Sequence, residues 1–495
     1  MKDLKTTRSI CPECFKTIDA IIFEENGQVF LKKTCPNHGL YEDLYWSSYE
    51  DYLRAQQYSV IGHGIDNPQT TVQNGHPFDC GLCPNHRSHT ALAIIDVTNR
   101  CNLRCPICFA NASVTGYLYE PTLEQIEKML KQLRNLKPIP ATALQFSGGE
   151  PTVREDLVTL IEMAKKVGFE HIEVNSNGVK FAKSVDYCRS LLEAGVSTIY
   201  LQFDGVTSQP YIATRGQDLL KTKFQAIKNL RAAGWDSIVL VPTIVKGVND
   251  DQLGAIIQYA AENFDVIRCV NFQPVSITGR IESEKRKEMR ITIPDCMKLV
   301  EDQTDGQIKT TDFFPVPIVA PISNAVGAIK KRRYIEFTVH EHCGMATFVF
   351  VENKKLIPIT QYANVKKFMD SMKKVSETAS KGSTTKAKLQ MLSSSLHYTD
   401  FKILRQLISG VLREGSYGAL GTLMRNVLMI GMMHFQDPYN LDLQRLEKCA
   451  IHYAVPDGRI IPFCAMNAIY RTEIEKKFGT PLICAEPDKR PSSTD

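Results

Sequence analysis

The chain has 495 residues, with 59 Lys and Arg against 54 Asp and Glu, a formal net charge of +5. A balance this even, with no long basic run, makes no case for a nucleic-acid partner. Its fifteen cysteines, about 3% of the chain, fall far below the ~8% or more of small disulfide scaffolds and exclude a secreted staple-rich module.

The first residues, MKDLKTTRSI, lack the apolar stretch of a signal peptide, so a cytoplasmic chain with reduced thiols is expected. Clustered cysteines then point to metal. Residues 1–90 form the first predicted domain, a cysteine-rich metal-binding head reading CPEC, TCPNHG and CGLCPNH. Cys11, Cys14, Cys35, Cys80 and Cys83, with His38 and His86, exceed what one four-coordinate ion needs. A zinc ribbon would take Cys11, Cys14, Cys35 and one of His38, Cys80 or Cys83; a rubredoxin-like iron with four thiolates has the same spacing logic. The surplus leaves room for a second, cluster-type site.

From 91 to 300, the second predicted domain, short apolar runs alternate with helix-period segments. Strands are expected at 91–98, 142–147, 171–176, 197–204, 237–245 and 266–275, with helices such as 123–136 and 154–168 between them. This pattern predicts an α/β fold, a partial (β/α)6 barrel with its site at the C-terminal ends of the strands. After the first strand comes TNRCNLRCPICFA. Cys101, Cys105 and Cys108, spaced Cys-x3-Cys-x2-Cys, can hold three irons of a 4Fe-4S cluster and leave the fourth open. The next three strands end in SGGEP, NSNG and QFDG. Gly148 and Gly149 allow close backbone approach, and Glu150 offers a carboxylate to an ammonium group. Asn175 and Asn177 also read simply as turn residues before Gly178.

The cysteine loop followed one strand later by GGE resembles the radical S-adenosylmethionine (SAM) superfamily over roughly residues 91–275. The resemblance implies that Cys101, Cys105 and Cys108 ligate the cluster and that SAM chelates its open iron. Glu150 would then accept from the methionine amine. Asn175, Ser176, Gln202 and Asp204 become candidates for the ribose and carboxylate, Arg215 for the methionine carboxylate, and Phe109 for packing on adenine.

The charged stretch 280–290 marks the barrel exit. Residues 301–495 make the third predicted domain, carrying an auxiliary iron-sulfur cluster and apolar substrate-binding helices. Its polar segment 379–388 is expected to be an exposed loop. The run 417–435 is too interrupted by Arg425 and Asn426 for a membrane span and is expected to be a buried helix. Its Met424, Met429, Met432 and Met433 suit either an ordinary core or a wall against a long flexible apolar ligand. Cys343, Cys449 and Cys464 are candidate ligands of an auxiliary 4Fe-4S cluster, with Cys484 as a fourth; PDGRIIPFC resembles the auxiliary-cluster extensions of many radical SAM enzymes. Cys188, Cys269 and Cys296 read as packing residues.

Taken along the whole chain, both cysteine-rich flanks, the cluster loop, SGGEPTVREDL and PFCAMN resemble the archaeal tetraether lipid synthases and their close relatives. That resemblance implies joining of two isoprenoid chain termini of archaeal diether lipids through a carbon-carbon bond between sp3 carbons. It implies SAM, its 4Fe-4S cluster, one or two auxiliary 4Fe-4S clusters and a mononuclear iron or zinc. The partners would be a diether lipid, a reduced donor such as ferredoxin, and a peripheral membrane contact. Three alternatives remain: methylation of a small heterocycle such as 7,8-dihydro-6-hydroxymethylpterin, modification of a peptide bound by the head, and a non-catalytic zinc or electron-transfer protein. The cavity separates the first two readings, since a lipid needs a long apolar tunnel and a pterin a compact polar pocket.

Overall fold

The computed structural model describes residues 1–112, 116–398, 410, 421 and 425–482. The head begins as an antiparallel sheet of β1 (Lys2–Ile10), β2 (Thr17–Glu25), β3 (Gln28–Cys35) and β4 (Gly39–Trp46), in that order. Asn26 and Gly27, both at positive φ, form the two-residue turn between β2 and β3. Such a turn matches the twist of the strands it joins. Along β3, Val29, Leu31, Lys33 and Cys35 point inward and are buried, the period-two pattern of a strand covered on one face.

Six parallel strands follow: β5 (Leu92–Thr98), β6 (Ala143–Gly148), β7 (His171–Ser176), β8 (Thr198–Gln202), β9 (Ile238–Val241) and β10 (Ile267–Pro274). They pair as neighbours in chain order. Helices cover their outer face. Thr122 and Gln125 form a capping box that starts α1 (Leu123–Arg134), whose Ile126, Met129, Leu130 and Leu133 are buried at helical spacing. On β7, Ile172 and Val174 are fully buried toward the helices, while Glu173 and Asn175 line the interior of the barrel.

The C-terminal third supplies two further parallel strands. With β11 (Gly344–Glu352), β12 (Leu428–Met433), β13 (Ile451–Ala454) and β14 (Ile460–Pro462), the sheet extends beyond both edges of the six. β12 runs parallel to β10 with Cys269 opposite Met429, and β13 parallel to β5 with Leu92 opposite Ile451. β11 and β14 then cover these additions in antiparallel fashion. Among the described residues no pairing joins β12 to β13, so the barrel stays open.

Two expectations change here. Residues 425–435 are no helix: Leu428, Ile430 and Met432 are buried on one face of β12, and Met429, Gly431 and Met433 alternate to the other. A short apolar run fits a buried strand as well as a buried helix, and the open sheet edge decides. The polar segment 379–388 is not an extended loop either. It holds the end of one helix, Val365–Ser380, and the start of another, Thr384–His397, with Gly382 at φ +89° in the link. Among the described residues no helix is long and apolar enough to cross a membrane.

A buried charge relay ties head, barrel and C-terminal region together. Arg290 donates to Asp43 on β4 at 3.1 Å and to Asp437 at 2.6 Å, all three side chains being at most 3% exposed. Lys33 reaches across to the Pro438 carbonyl at 2.6 Å. Burial alone would push the Asp437 carboxyl up, but Arg290 and the Ile277 N–H hold it below the usual carboxylate range. Removing one partner of a buried pair leaves an uncompensated charge. Arg290→Met should therefore lower stability at pH 7 by about 3–5 kcal/mol, measured by denaturant unfolding of the full chain. Because the folded Asp437 pKa is depressed, its contribution is present above about pH 4 and lost as pH falls through the folded value, so the wild-type advantage should shrink in acid.

Candidate active site

The strand tops converge on one cavity of about 280 Å3. Its wall carries all three cluster-loop thiols and every predicted cofactor-binding residue except Asp204. The chain makes this possible by close backbone packing where β5 and β6 end. Gly148 sits at φ +137°, and a Cβ there would lie 2.1 Å from the Thr98 carbonyl oxygen. One on Gly149 would lie 2.3 Å from that of Arg100. Only glycine lets the GGE segment nest against the cysteine loop.

Glu150 is 1% exposed. Its carboxylate accepts from Thr152 Oγ1 at 2.6 Å, Ser176 Oγ at 2.8 Å and the Asn177 N–H at 2.7 Å. Asn177 in turn donates from Nδ2 to Asn102 Oδ1 at 2.7 Å, so the first two strand-top motifs and the cysteine loop are one hydrogen-bonded unit. Asn175 donates to Ser147 at 3.3 Å. Phe109 packs against Phe463 with ring centres 6.0 Å apart, in an aromatic cluster that includes Phe435 and Tyr453.

Asp204 and Arg215 are placed differently from a pair of direct SAM contacts. Asp204 is fully buried behind the wall and grips Arg215 through two hydrogen bonds, at 2.6 and 2.8 Å. Arg215 Nη1 donates to the Ile107 carbonyl at 2.9 Å. With its guanidinium committed this way, Arg215 braces the cysteine loop, and Asp204 holds Arg215.

The donor set fits an iron-sulfur cluster. Burial pushes the Cys101 thiol up to about 12 and raises Cys105, partly offset at Cys105 by Arg215. Partly buried thiols of this kind give up their protons to a metal, which a cluster supplies.

Three residues around the loop escaped the sequence reading. Lys223, fully buried, donates to the Asn177 carbonyl and to Gln202, and burial lowers its pKa to about 7. Gly279, at φ +65°, approaches the Cys108 carbonyl so closely that a Cβ would lie 2.4 Å from it. Arg280 donates to the Cys105 and Ala112 carbonyls at 3.0 and 2.6 Å. The only signal for these was position after a strand, in ITGR and along an otherwise ordinary helix.

The other thiols separate into two groups. Cys11, Cys14, Cys35 and His38 place one ligand atom each within 4.8 Å of one another. His38 Nδ1 lies 3.6 Å from Cys11 Sγ and 3.5 Å from Cys35 Sγ. The Asn37 backbone N–H pulls the Cys35 thiol down to about 6. Three thiols and an imidazole suit tetrahedral zinc, whereas a rubredoxin-like iron needs a fourth thiolate. Cys80 and Cys83 are not available for it. Cys80 sits in the same apolar cluster as Cys464 and Cys449, and the charges of Cys83 and Cys449 add to the burial that raises its pKa. Arg445, buried, donates to Cys343 Sγ at 3.4 Å, and the Gln436 N–H to Cys464 Sγ at 3.3 Å.

Cys484 and Met424 lie outside the described residues. Of the other methionines, Met433 lines the cavity, Met429 is half-buried and Met432 belongs to the core. They contribute strand side chains, not a helical wall.

The Radical SAM superfamily matches residues 95–260, and the HMPTM N-terminal zinc ribbon domain matches residues 3–47. The 7,8-dihydro-6-hydroxymethylpterin dimethyltransferase of Methanocaldococcus jannaschii is 50% identical over 490 residues, covering 97% of this chain and 96% of that protein. The GTP 3′,8-cyclase of Thermodesulfovibrio yellowstonii is 25% identical over 42% of this chain and 63% of its own length. Among solved structures, Streptococcus suis SuiB bound to S-adenosylmethionine is 17% identical with a TM-score of 0.35, covering 45% of this chain and 48% of that one.

The strand-top unit and the superfamily match define a radical SAM enzyme, with a 4Fe-4S cluster and SAM as cofactors. Identity along nearly the whole length then shows that the chain belongs to the family of the M. jannaschii dimethyltransferase. The expectation of a tetraether lipid synthase is thereby overturned, and with it the diether lipid as partner and carbon-carbon joining of lipid chains. The motifs that carried that resemblance describe cofactor machinery and leave the substrate open.

The two metal groups predict separable losses. Cys35→Ser should remove about one zinc per chain and leave iron unchanged. Cys101→Ala/Cys105→Ala/Cys108→Ala should remove about four irons and leave zinc in place, both read by elemental analysis of the purified chain.

Proposed function

We propose that this enzyme transfers two methyl groups to 7,8-dihydro-6-hydroxymethylpterin, as its relative's name describes. Support comes first from the 50% identity over 97% of the chain. The observation that carries the reading is the cavity itself, which continues from the strand tops into the barrel as a compact chamber. Gln145, Glu173, Tyr200, Gln202, Asn271 and Gln273 present amides, a carboxylate and a phenol there. These groups are bonded among themselves, Gln145 to Glu173 and Asn271 and Gln273 to Tyr200, and a flat heterocycle rich in donors and acceptors can engage their remaining hydrogen-bonding capacity, which an isoprenoid chain would leave unused.

In this reading Cys101, Cys105 and Cys108 hold the cluster, and SAM lies along Glu150, Ser176 and Gln202. When bound, cluster and SAM supply a 5′-deoxyadenosyl radical able to remove hydrogen from carbon. Glu150 accepts from the SAM ammonium group, already oriented by Ser176 and Asn177. Asp204 and Arg215 fix the cysteine loop so that the chamber below stays aligned with it. Phe109 and Phe463 shield the cavity from water, which matters because stray hydrogen donors quench carbon radicals.

The second thiol group is read as an auxiliary 4Fe-4S site. Cys343, Cys449 and Cys464 supply ligands, with Cys80 or Cys83 close by, and Arg445 balances the negative charge that a thiolate-bound cluster carries. Burial pushes the Cys449 thiol up to about 12, so these protons too leave only to a metal.

Expression in a bacterial host that makes the dihydropterin tests the reading with all co-substrates present. Mass spectrometry of the pterin pool should show species heavier by two methyl groups with the wild-type chain and none with Cys105→Ala. An unchanged pool beside abundant, cluster-loaded wild-type protein would contradict it.

A further inference from the structure

The chamber's lining contains two carboxylates, Glu150 and Glu173. Glu150 is enclosed by Thr152, Ser176 and Asn177 at the strand tops. Glu173 is different. It lies two residues below Asn175 on β7, roughly 7 Å deeper at the rise of a strand, and its side chain is 15% exposed. Gln145 Nε2 donates to its Oε2 at 2.8 Å, and His171 Nε2 lies 3.1 Å from its Oε1. Among the described residues no Arg or Lys pairs with it within 4 Å, and the two arginines on the wall, Arg215 and Arg280, are committed elsewhere. On the neighbouring strand β8, Tyr200 lies opposite Asn175, and its hydroxyl accepts from Asn271 at 2.5 Å and Gln273 at 3.0 Å. The floor therefore holds one carboxylate, flanked by the Gln145 amide and the His171 imidazole, with the amides of Asn271 and Gln273 gathered on Tyr200.

We propose that Glu173 is the specificity-determining residue of this chamber, pairing through both carboxylate oxygens with the 2-amino and N3–H donors of a 2-aminopyrimidin-4-one ring. This rests on the pterin reading and sharpens it to an orientation. Those two donors are adjacent and parallel, with the spacing of the two oxygens of a carboxylate, the arrangement that gives bidentate charge-assisted hydrogen bonds. Gln145 and His171 position the carboxylate from either side. The only sp3 carbons of 7,8-dihydro-6-hydroxymethylpterin are C7 and the hydroxymethyl carbon, both on the opposite, pyrazine edge. With the pyrimidine edge on Glu173 at the floor, those carbons point up toward the cysteine loop.

The test compares two ligands on the full chain loaded with its cluster and SAM. One is 6-hydroxymethylpterin; the other is the matching lumazine, in which an oxo group replaces the 2-amino group and turns an acceptor toward the carboxylate. Both are followed by their own fluorescence. Wild type should bind the pterin about 10- to 100-fold more tightly than the lumazine, the weight of hydrogen bonds to a charged group. Glu173→Gln should lose that preference, binding pterin about 10- to 100-fold more weakly and lumazine no worse, with SAM affinity unchanged. A Glu173→Gln chain that keeps the preference, or that loses both ligands equally, would overturn the assignment. If that variant does not fold, Glu173→Asp, which keeps the charge and withdraws it by one methylene, should reduce the preference without abolishing it, and an unchanged preference would overturn the assignment equally. Wild type that binds neither ring would sink the pterin reading itself, a result distinct from a failure of Glu173 alone.

Discussion

Six parallel strands with crossover helices leave two open sheet edges, each a row of unpaired backbone N–H and C=O groups. How those edges are covered governs the rest of this molecule. β12 and β13 dock in parallel register on the outer strands, so the C-terminal third becomes part of the barrel wall. Its aromatics Phe435, Tyr453 and Phe463 thereby line the cavity, and the interior is shaped by the C-terminal third as well as by the six central strands. The Arg290 relay between Asp43 and Asp437 holds the head to the same junction, so the zinc-binding sheet, the barrel and the thiol-rich flank form one packed body.

Within that frame the division of labour along each strand is simple. Residues facing the helices are apolar and close-packed, as Ile172 and Val174 are on β7. Those facing inward include polar groups at two levels: a cofactor level at the strand tops, ordered around Glu150 and the Asp204–Arg215 pair, and a deeper level around Glu173 and Tyr200, which we propose takes the substrate; Ile94, Val241 and Met433 line the same cavity as apolar wall. The glycines at 148, 149 and 279 matter because each brings one segment of backbone into contact with the cysteine loop, where any side chain would clash.

Much of the cofactor level was legible in the sequence because its chemistry depends on fixed local spacing. Three cysteines on one loop and the GGE, NSNG and QFDG endings of successive strands specify it without knowledge of packing. What stayed hidden depended on distant partners. Asp204 reads as a ligand contact until its carboxylate is seen gripping Arg215, and Cys80 reads as a companion of Cys11 until the fold carries it to Cys449 and Cys464. The methionine run failed for another reason: LMIGMM has no polar residue to reveal its period, so only the open edge beside β10 makes it a strand. The substrate was misread because cofactor motifs are shared by enzymes that act on unlike molecules, whereas Gln145, Glu173, Asn271 and Gln273 are single polar letters inside apolar strands, informative only once their inward direction is known.

In the proposed complex a dihydropterin stands in the chamber with its sp3 carbons beneath the radical source. Anaerobic turnover with SAM and 7,8-dihydro-6-hydroxymethylpterin deuterated at C7 and at the hydroxymethyl carbon, in lysate of cells expressing the chain, tests it most directly. Deuterium is expected in the 5′-deoxyadenosine released. Deoxyadenosine formed in step with methylated pterin but carrying only protium would contradict it.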